Sequence, residues 1–446
     1  MTAAPRATGR WMLQHARAMR SDPLGFLLAC AGEFGDIVEF PIPRQPVFFV
    51  NDPDAAARVL QGNHPAYGKD TVQYRSLALV TGEGLLVSDG EGWRRARHLV
   101  QPAFHASTMD ALGGQVAGAL GRLNSRWDAQ PAGAVVDVDE AMMRVTLEIV
   151  GQALFSTDLA PDAVDLVEAV SRALDVVIAR ARTPIPLPSW LPTPSKRRLA
   201  GSVRTLDRAV AAMVADHQAP GPARSDLLSL LLAATDGPGG TGLSEEQVRD
   251  EVITLVVAGH ETVASALTWA LWLVADDPEV RARLAAEADS VLGERPPSAT
   301  DYAALTYTRQ VMDEALRLYP PAWVVTRRVL ADDVLAGAPV PAGALIIVSP
   351  YTLHRRADVW DRPEAFDPDR FAPDRRADAV RRGYLPFGAG PRLCVGRDFA
   401  LVESTLVLAA TVGRYAIERL PGLPRQMDPS VTLRPKAGLP MRLRRR

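Results

Sequence analysis

Between Ser244 and about Ala275 the apolar pattern reads as helix, the longest such run in the chain. Ser244-Glu245-Glu246-Gln247 opens it as a capping box, with the serine side chain on an early N–H and Gln247 reaching back. Asp276-Asp277-Pro278 ends it. At about 1.5 Å per residue such a helix is roughly 48 Å long, enough to cross a domain. Most of the remaining chain also reads as helix, rich in Ala, Leu, Val and Arg. Strand patterns are few. Asp36–Ile42 and Pro46–Val50 are separated by a turn at Pro43 and Arg44, and Ala344–Ser349 follows Pro341-Ala342-Gly343. A last hairpin is read around Pro435–Gly438. The clearest break is Asp236–Gly242, just before the long helix. The pattern predicts a mainly α fold with a small β portion, in one large domain over residues 1–446 with no internal repeat.

Composition narrows the function. The 446 residues carry a net charge of −2, without the basic surplus that nucleic-acid binding requires. The two cysteines, Cys30 and Cys394, exclude a disulfide framework and a four-cysteine zinc or iron–sulfur site. A free thiol with a task suggests a reducing compartment. Met1–Arg20 has neither a signal-peptide pattern nor a long apolar run, so a cytoplasmic protein without a membrane span is expected.

Phe387-Gly388-Ala389-Gly390-Pro391-Arg392-Leu393-Cys394-Val395-Gly396 carries the strongest chemical signal. Its glycines let the backbone bend so that amides can be offered to the Cys394 sulfur. N–H donors stabilise a thiolate, the form that ligates metal. Arg392 places a permanent cation nearby, suited to a carboxylate. In mid-helix, Ala258-Gly259-His260-Glu261-Thr262 sets a glycine where it costs about 1 kcal/mol relative to alanine. Its missing side chain would admit a flat ligand, and a local opening of the helix would free a carbonyl for water. Glu261 and Thr262 put a carboxylate beside a hydroxyl, a pair able to relay protons.

Together these segments resemble the cytochrome P450 superfamily: F-G-x-G-x-R-x-C-x-G at the cysteine, and A/G-G-x-D/E-T in the helix with Glu for the commoner Asp. The resemblance, to the soluble bacterial members, runs from about Asp22 to Leu443. It implies a triangular helical prism with haem b between the central helix and the helix after the cysteine loop. Cys394 would be the axial ligand, with Phe387 in the same loop, and Glu261 and Thr262 the proton relay. Val263, often a second Thr or Ser, would leave the relay leaning on Thr262. His260 falls at a variable position and has no assigned role. The family's E-x-x-R helix appears as Glu314-Ala315-Leu316-Arg317, and Arg370 would complete a structural triad. Trp93 and Arg97, four apart on one helical face, resemble the W-x-x-x-R pair on one haem propionate, with His98 as an extra donor. Arg392 would meet the other propionate with a strand arginine, Arg328 favoured over Arg327.

The same resemblance places the distal pocket along His64–Asp89, Ala179–Pro194, the mid-helix and Pro320–Thr326. The Pro-rich Pro184–Pro194 would serve as a lid. Val256, Ala258, Gly259, Trp323 and Val325 would lie near the iron, favouring a medium-sized apolar substrate such as a terpenoid, polyketide or fatty-acid-like compound. The activity implied is a haem-thiolate monooxygenase using O2. With no flavin or dinucleotide segment in the chain and no fused reductase, electrons would come from a separate ferredoxin or flavodoxin-type donor with its reductase. Alternatives are a specialised oxidase that forms rings, cross-links or double bonds, a peroxide-driven enzyme, or a haem sensor. The last two would have little use for Glu261-Thr262.

Overall fold

A computed structural model of the protein describes residues 3–42, 45–104, 106–159, 161, 163–181, 193–220, 224, 226–236, 242–381, 383–422 and 426–446. The expected turn at Pro43 and Arg44, most of the Pro-rich lid and most of the Gly-rich break lie outside these residues. The fold is mainly helical with a small β portion. The chain gathers into two compact units. One comprises Met1–Arg75, Asp313–Cys394 and Val431–Leu433, the other Ser76–Met312, Val395–Ser430 and Arg434–Arg446.

The first unit is built on a five-stranded sheet ordered Ile37–Phe40, Val47–Val50, Leu345–Val348, Val325–Val329, Tyr67–Gly68. Only Val47–Val50 and Leu345–Val348 run parallel. The expected strands are present but trimmed. The first stops at Phe40 because Pro41 has no N–H for a ladder. The third gives way at Ser349, whose hydroxyl accepts the Thr352 N–H to start a short helix. One face of the sheet buries Phe48, Val50, Ile346 and Val348 with Ala56, Val59 and Leu353.

A fully buried ion pair holds the irregular chain that follows the sheet. Glu314 and Arg317, each 0% exposed, are three apart on the helix Thr306–Leu318. They meet through two parallel bonds, Arg317 Nε and Nη2 to the two carboxylate oxygens, each 2.7 Å. The remaining guanidinium hydrogens reach the carbonyls of His354 (2.8 Å), Pro363 (2.7 Å) and Ala365 (3.0 Å). Glu314 also accepts from the Asp367 N–H (3.0 Å) and faces Arg370 Nε at 3.4 Å. All five guanidinium hydrogens and both carboxylate oxygens are thus engaged, the condition under which burial of two charges is tolerated. The carbonyls all belong to irregular chain, so the guanidinium fixes segments that no sheet or helix orders.

His354 extends the network. Its Nε2 accepts the Leu385 N–H at 2.8 Å, so Nδ1 carries the proton and donates to the Arg317 carbonyl at 3.1 Å. Burial, and then the Arg317 cation, push the ring's pKa down to about 3.

The second unit centres on the helix Glu245–Asp276, which begins with the expected capping box. Ser244 Oγ accepts the Gln247 N–H (3.2 Å) and Gln247 Oε1 accepts the Ser244 N–H (2.9 Å). Asp277 closes it and caps the next helix, Pro278–Val291, by accepting the Glu279 and Val280 N–H groups. By length and composition the long helix could cross a membrane, but 83% of its apolar window is buried inside the protein. It is apolar on several faces because it packs against the helices Val138–Phe155 and Arg397–Arg414. A three-stranded sheet, Val135–Asp137, Pro440–Arg445, Tyr415–Arg419, completes the unit.

The expected hairpin around Pro435–Gly438 is a correction. Leu433–Pro435 pairs with Met427–Pro429, whereas Pro440–Arg445 lies between Val135–Asp137 and Tyr415–Arg419. Ala437 and Gly438, at φ 64° and 81°, carry the chain from one sheet to another. A turn signal alone cannot distinguish a return from a crossing.

Two outcomes follow from the Arg317 network. Arg317→Ala strips the buried Glu314 charge of its bidentate partner and leaves it only the longer contact to the Arg370 cation, a loss of about 3–5 kcal/mol, and is expected to yield poorly folded protein in denaturant unfolding. A soluble variant of near-native stability would contradict this. For His354, the folded pKa lies below the ordinary 6.5, so the unfolded chain binds the proton first as pH falls. The histidine's contribution to stability is therefore present above about pH 6.5 and is lost progressively towards pH 3, at about 1.4 kcal/mol per pH unit. In His354→Gln the acid-side slope of unfolding free energy against pH should be shallower by about one proton.

Candidate functional site

The cysteine loop lies at the end of the His354 link. After Leu385, the Gly388 N–H returns to the Leu385 carbonyl at 3.1 Å. Gly390–Arg392 forms a short 3-10 turn closed by Leu393 N–H on the Gly390 carbonyl (3.0 Å). The Cys394 N–H donates to the Phe387 carbonyl at 3.0 Å and joins the two ends. These amides close the loop and so fix the position of the sulfur. Gly388 and Gly390 have φ of 73° and 68°, which favours glycine. They differ in surroundings. A Cβ on Gly390 would lie 2.4 Å from the Leu60 carbonyl oxygen and 2.8 Å from Gln61 Cα, whereas one on Gly388 meets nothing within 4 Å. The loop is therefore seated against Arg58–Gly62 by backbone contact at Gly390.

The two cysteines have opposite settings. Cys394 is exposed at the end of this loop. Cys30 is fully buried in the helix Pro23–Phe34, and burial, helped by Glu33, pushes its pKa up to about 12. Cys30 is held as a neutral thiol. Arg392 and Phe387 are half-buried beside Cys394 in sequence.

On the strand Val325–Val329 the two arginines have different partners. Arg327 is buried, with Nη1 on the Tyr74 hydroxyl (3.0 Å) and the Thr326 carbonyl (2.8 Å). Arg328 is half-buried and reaches the carbonyls of Asp70 (3.0 Å) and Gly343 (3.1 Å). Val325 is half-buried, and buried Trp323 offers its carbonyl to Ser349 Oγ at 2.7 Å.

In the second unit the long helix has a short half-buried stripe. Ala258, Gly259 and Thr262 are partly open, while Val256, His260, Glu261 and Val263 are buried. Ala258 and Thr262, four apart, share one helical face, with Gly259 at its edge, so the opening is a local notch. Thr262 Oγ1 donates to the Ala258 carbonyl at 2.8 Å. The expected opening of the backbone is absent: the helix is continuous from Glu245 to Asp276. Side-chain hydroxyls meet its carbonyls instead, Thr262 at Ala258 and Thr146 at His260 (3.0 Å). Gly259 also has a packing reason, since a Cβ there would sit 3.0 Å from Val150 Cγ2 on the neighbouring helix. His260, fully buried, places Nδ1 2.6 Å from the Val256 carbonyl, and burial lowers its pKa to about 4. It is a neutral core histidine.

Glu261 does not share Thr262's surroundings. It is 2% exposed and faces Arg434 Nη1 at 3.8 Å, while Arg434 Nη2 binds Asp139 at 2.7 Å. The carboxylate and hydroxyl are adjacent in sequence but about 100° apart around the helix. Elsewhere in this unit, Trp93 and Arg97 are both half-buried on the helix Gly90–Val100. Arg97 Nε reaches Gln101 at 3.2 Å, Arg94 pairs with Glu91, and His98 is exposed.

Sequence reasoning missed His354, Asp139 and Arg434. All three act through partners remote in sequence, and no local spacing marks them. The one available signal was Arg434 itself, a lone charge between Leu433 and Pro435 where the strand pattern turns inward.

The family profile of Cytochrome P450 matches residues 5–440. Cyclooctatin synthase of Streptomyces melanosporofaciens is 36% identical over 97% of this chain and 96% of the relative. Cyclooctat-9-en-7-ol 5-monooxygenase of the same organism is 34% identical over 92% and 88%. Pentalenene oxygenase of Streptomyces avermitilis is 33% identical over 95% and 91%. The chain belongs to the cytochrome P450 family and is a P450 monooxygenase, with haem held by a cysteine thiolate as its cofactor. The residues present fit that group, since one of the two sulfurs is exposed and the other is held protonated.

The contrast between the glycines gives a test. Gly388→Ala should cost only the left-handed penalty, about 1–2 kcal/mol, and retain haem. Gly390→Ala adds a backbone collision at Leu60 and Gln61 and should lose most bound haem, read from the ratio of Soret to protein absorbance. Equal haem content in the two variants would show that the Leu60 seat does not hold the loop.

Proposed function

We propose that this enzyme is a single catalytic domain that oxidises a terpenoid-like apolar molecule in the cytoplasm, with Cys394 as the axial ligand of its haem. The observation that carries the assignment is the contrast between exposed Cys394 and buried, protonated Cys30. The haem, when bound, activates O2 and delivers one of its oxygen atoms to a C–H bond. The chain's own residues do the rest. The Glu314–Arg317–His354 network and the Gly390 seat hold the thiolate's loop in place. Trp93, Arg97 and Arg392, with a strand arginine at 327 or 328, are suited to carry the propionates, and His98 is a further donor. Thr262 and Glu261 hold and pass protons, with Thr262 at the half-buried notch and Glu261 behind it.

The substrate class rests on two supports. Val256, Ala258, Gly259, Trp323 and Val325, the pocket candidates, bring no fixed charge that could pair with a polar ligand. The similar proteins are named for cyclooctatin, cyclooctat-9-en-7-ol and pentalenene, all terpenoids. Electrons would come from a ferredoxin or flavodoxin-type donor with its reductase.

Reduced protein with CO should show the red-shifted thiolate Soret band. Cys394→Ser should abolish the band and Cys30→Ser should retain it; the reverse pattern would overturn the ligand assignment. Cyclic terpenes should shift the iron towards high spin and, with redox partners, yield products heavier by one oxygen atom. Ala258→Phe should block the shift with haem content intact. A spin shift with charged metabolites alone would refute the apolar pocket.

A further inference from the structure

The turn that seats the cysteine loop is itself an unusual piece of chain. Arg58–Gly62 continues the short helix Pro53–Ala57 as a wide, π-type turn. The Asn63 N–H closes it on the Arg58 carbonyl, five residues back, at 2.7 Å. Such turns are rare and occur mostly as single bulges, frequently at functional sites. Pro65, five residues after Leu60, has no N–H, so no bond of this kind can reach the Leu60 carbonyl. Leu60 and Gln61, in the middle of the turn, are the residues whose backbone abuts Gly390. Val59 and Leu60 also belong to the apolar cluster on which Leu385 and Ala389 of the cysteine loop pack. The seat of the loop is therefore set by where this short turn stands.

One carboxylate fixes both ends of the turn. Asp333, 9% exposed, begins the short strand Asp333–Leu335. Its Oδ1 accepts Arg58 Nη2 at 2.6 Å and Arg58 Nε at 3.0 Å, and its Oδ2 accepts Asn63 Nδ2 at 3.0 Å. Arg58 opens the turn and Asn63 follows its last residue. Oδ2 also accepts the Tyr67 hydroxyl at 2.6 Å, and Oδ1 the Val334 N–H at 2.8 Å. Tyr67 is paired with Val329 in the five-stranded sheet, so the carboxylate ties the turn to the sheet. Burial works against the charge of Asp333, but the Arg58, Tyr67 and Asn63 donors outweigh it and hold the group ionised, below the ordinary carboxylate range. Arg58 is half exposed, unlike Arg317, so loss of this pair should loosen the turn without unfolding the chain.

We propose that Asp333 is a positioning residue for the haem ligand: it clamps both ends of Arg58–Gly62, keeps the Leu60 carbonyl against Gly390, and so sets where the Cys394 sulfur stands. The proposal rests on the reading of Cys394 as the axial ligand. Asp333 acts through the turn and the loop, not by contact with the reacting atoms.

The test uses the haem-loaded enzyme. Asp333→Asn removes the charge at nearly constant size, and Arg58→Gln removes the cation. In both, the reduced CO complex should lose part of the red-shifted thiolate band to the unshifted band of a neutral thiol. Hydrogen exchange at the Leu393 and Cys394 amides, which donate within the loop, should accelerate about tenfold or more. The Leu385 amide, held by His354, should exchange at the parent rate. Asp301→Asn is the matched control. Asp301, in the second unit, is bound by Arg295 at 2.6 and 2.7 Å, and losing that pair should leave band and exchange as in the parent. An unchanged band or unchanged exchange in folded Asp333→Asn overturns the proposal, as do equal changes in Asp301→Asn. Should Asp333→Asn fail to fold, Tyr67→Phe, which removes one hydroxyl, must still move band and exchange in the same direction, or the clamp is refuted. Cys394→Ser separates the two readings. If it keeps the thiolate band, the ligand assignment is wrong. If it loses the band while Asp333→Asn behaves as the parent, only the clamp is wrong.

Discussion

A monooxygenase of this kind must keep a thiolate at one point on an irregular loop, and irregular loops have no ladder to hold them. Here the constraint is met by one guanidinium. Arg317 is bound on one side by Glu314 and on the other by three carbonyls of the chain between His354 and Ala365. His354 passes the constraint on: it donates to the Arg317 carbonyl and accepts the Leu385 N–H, two residues before Phe387. From Phe387 a single bond reaches Cys394. The sulfur is thus only a few hydrogen bonds from a fully buried ion pair, although 77 positions separate Arg317 from Cys394 in the chain.

The network depends on charge in a way that an apolar core would not. A bidentate pair fixes both distance and plane, and a guanidinium with five N–H groups can hold several carbonyls at once. Packed leucines could match its stability but would not orient three peptide planes. The neutral state of His354 serves the same end. A protonated ring would be a donor at both nitrogens and could not accept from Leu385, so the burial that lowers its pKa also preserves the link to the loop.

Legibility in the sequence followed the range of the interactions. The capping box at Ser244, the long helix and the three main strands were readable because caps, periodicity and turns act over a few residues. The cysteine loop was readable because its glycines, arginine and thiol are contiguous. Glu314 and Arg317 could be paired from their spacing, but that spacing alone describes an exposed pair equally well. Only the structure shows both at 0% exposure. The final hairpin failed for the same reason in reverse: Ala437 and Gly438 make a turn, but the partners on either side are Met427–Pro429 and Val135–Asp137, and no local signal selects them.

Gly259 shows how a correct motif can carry an incomplete reason. Its place in Ala258–Thr262 suggested a surface cleared for a flat ligand, yet the missing Cβ points towards Val150 at 3.0 Å. Close approach of two helices and a notch at Ala258 and Thr262 are compatible, since helix packing brings the glycine's neighbours into register. Glu261 follows from the same geometry. Once Thr262 faces the notch, the preceding residue must lie about 100° around the helix, in surroundings that would bury a carboxylate without a counter-charge. Arg434, from a strand that enters the second unit near the end of the chain, supplies that charge and shares it with Asp139. The acid and the alcohol therefore belong to different environments, one buried beside a guanidinium and the other at the half-buried notch.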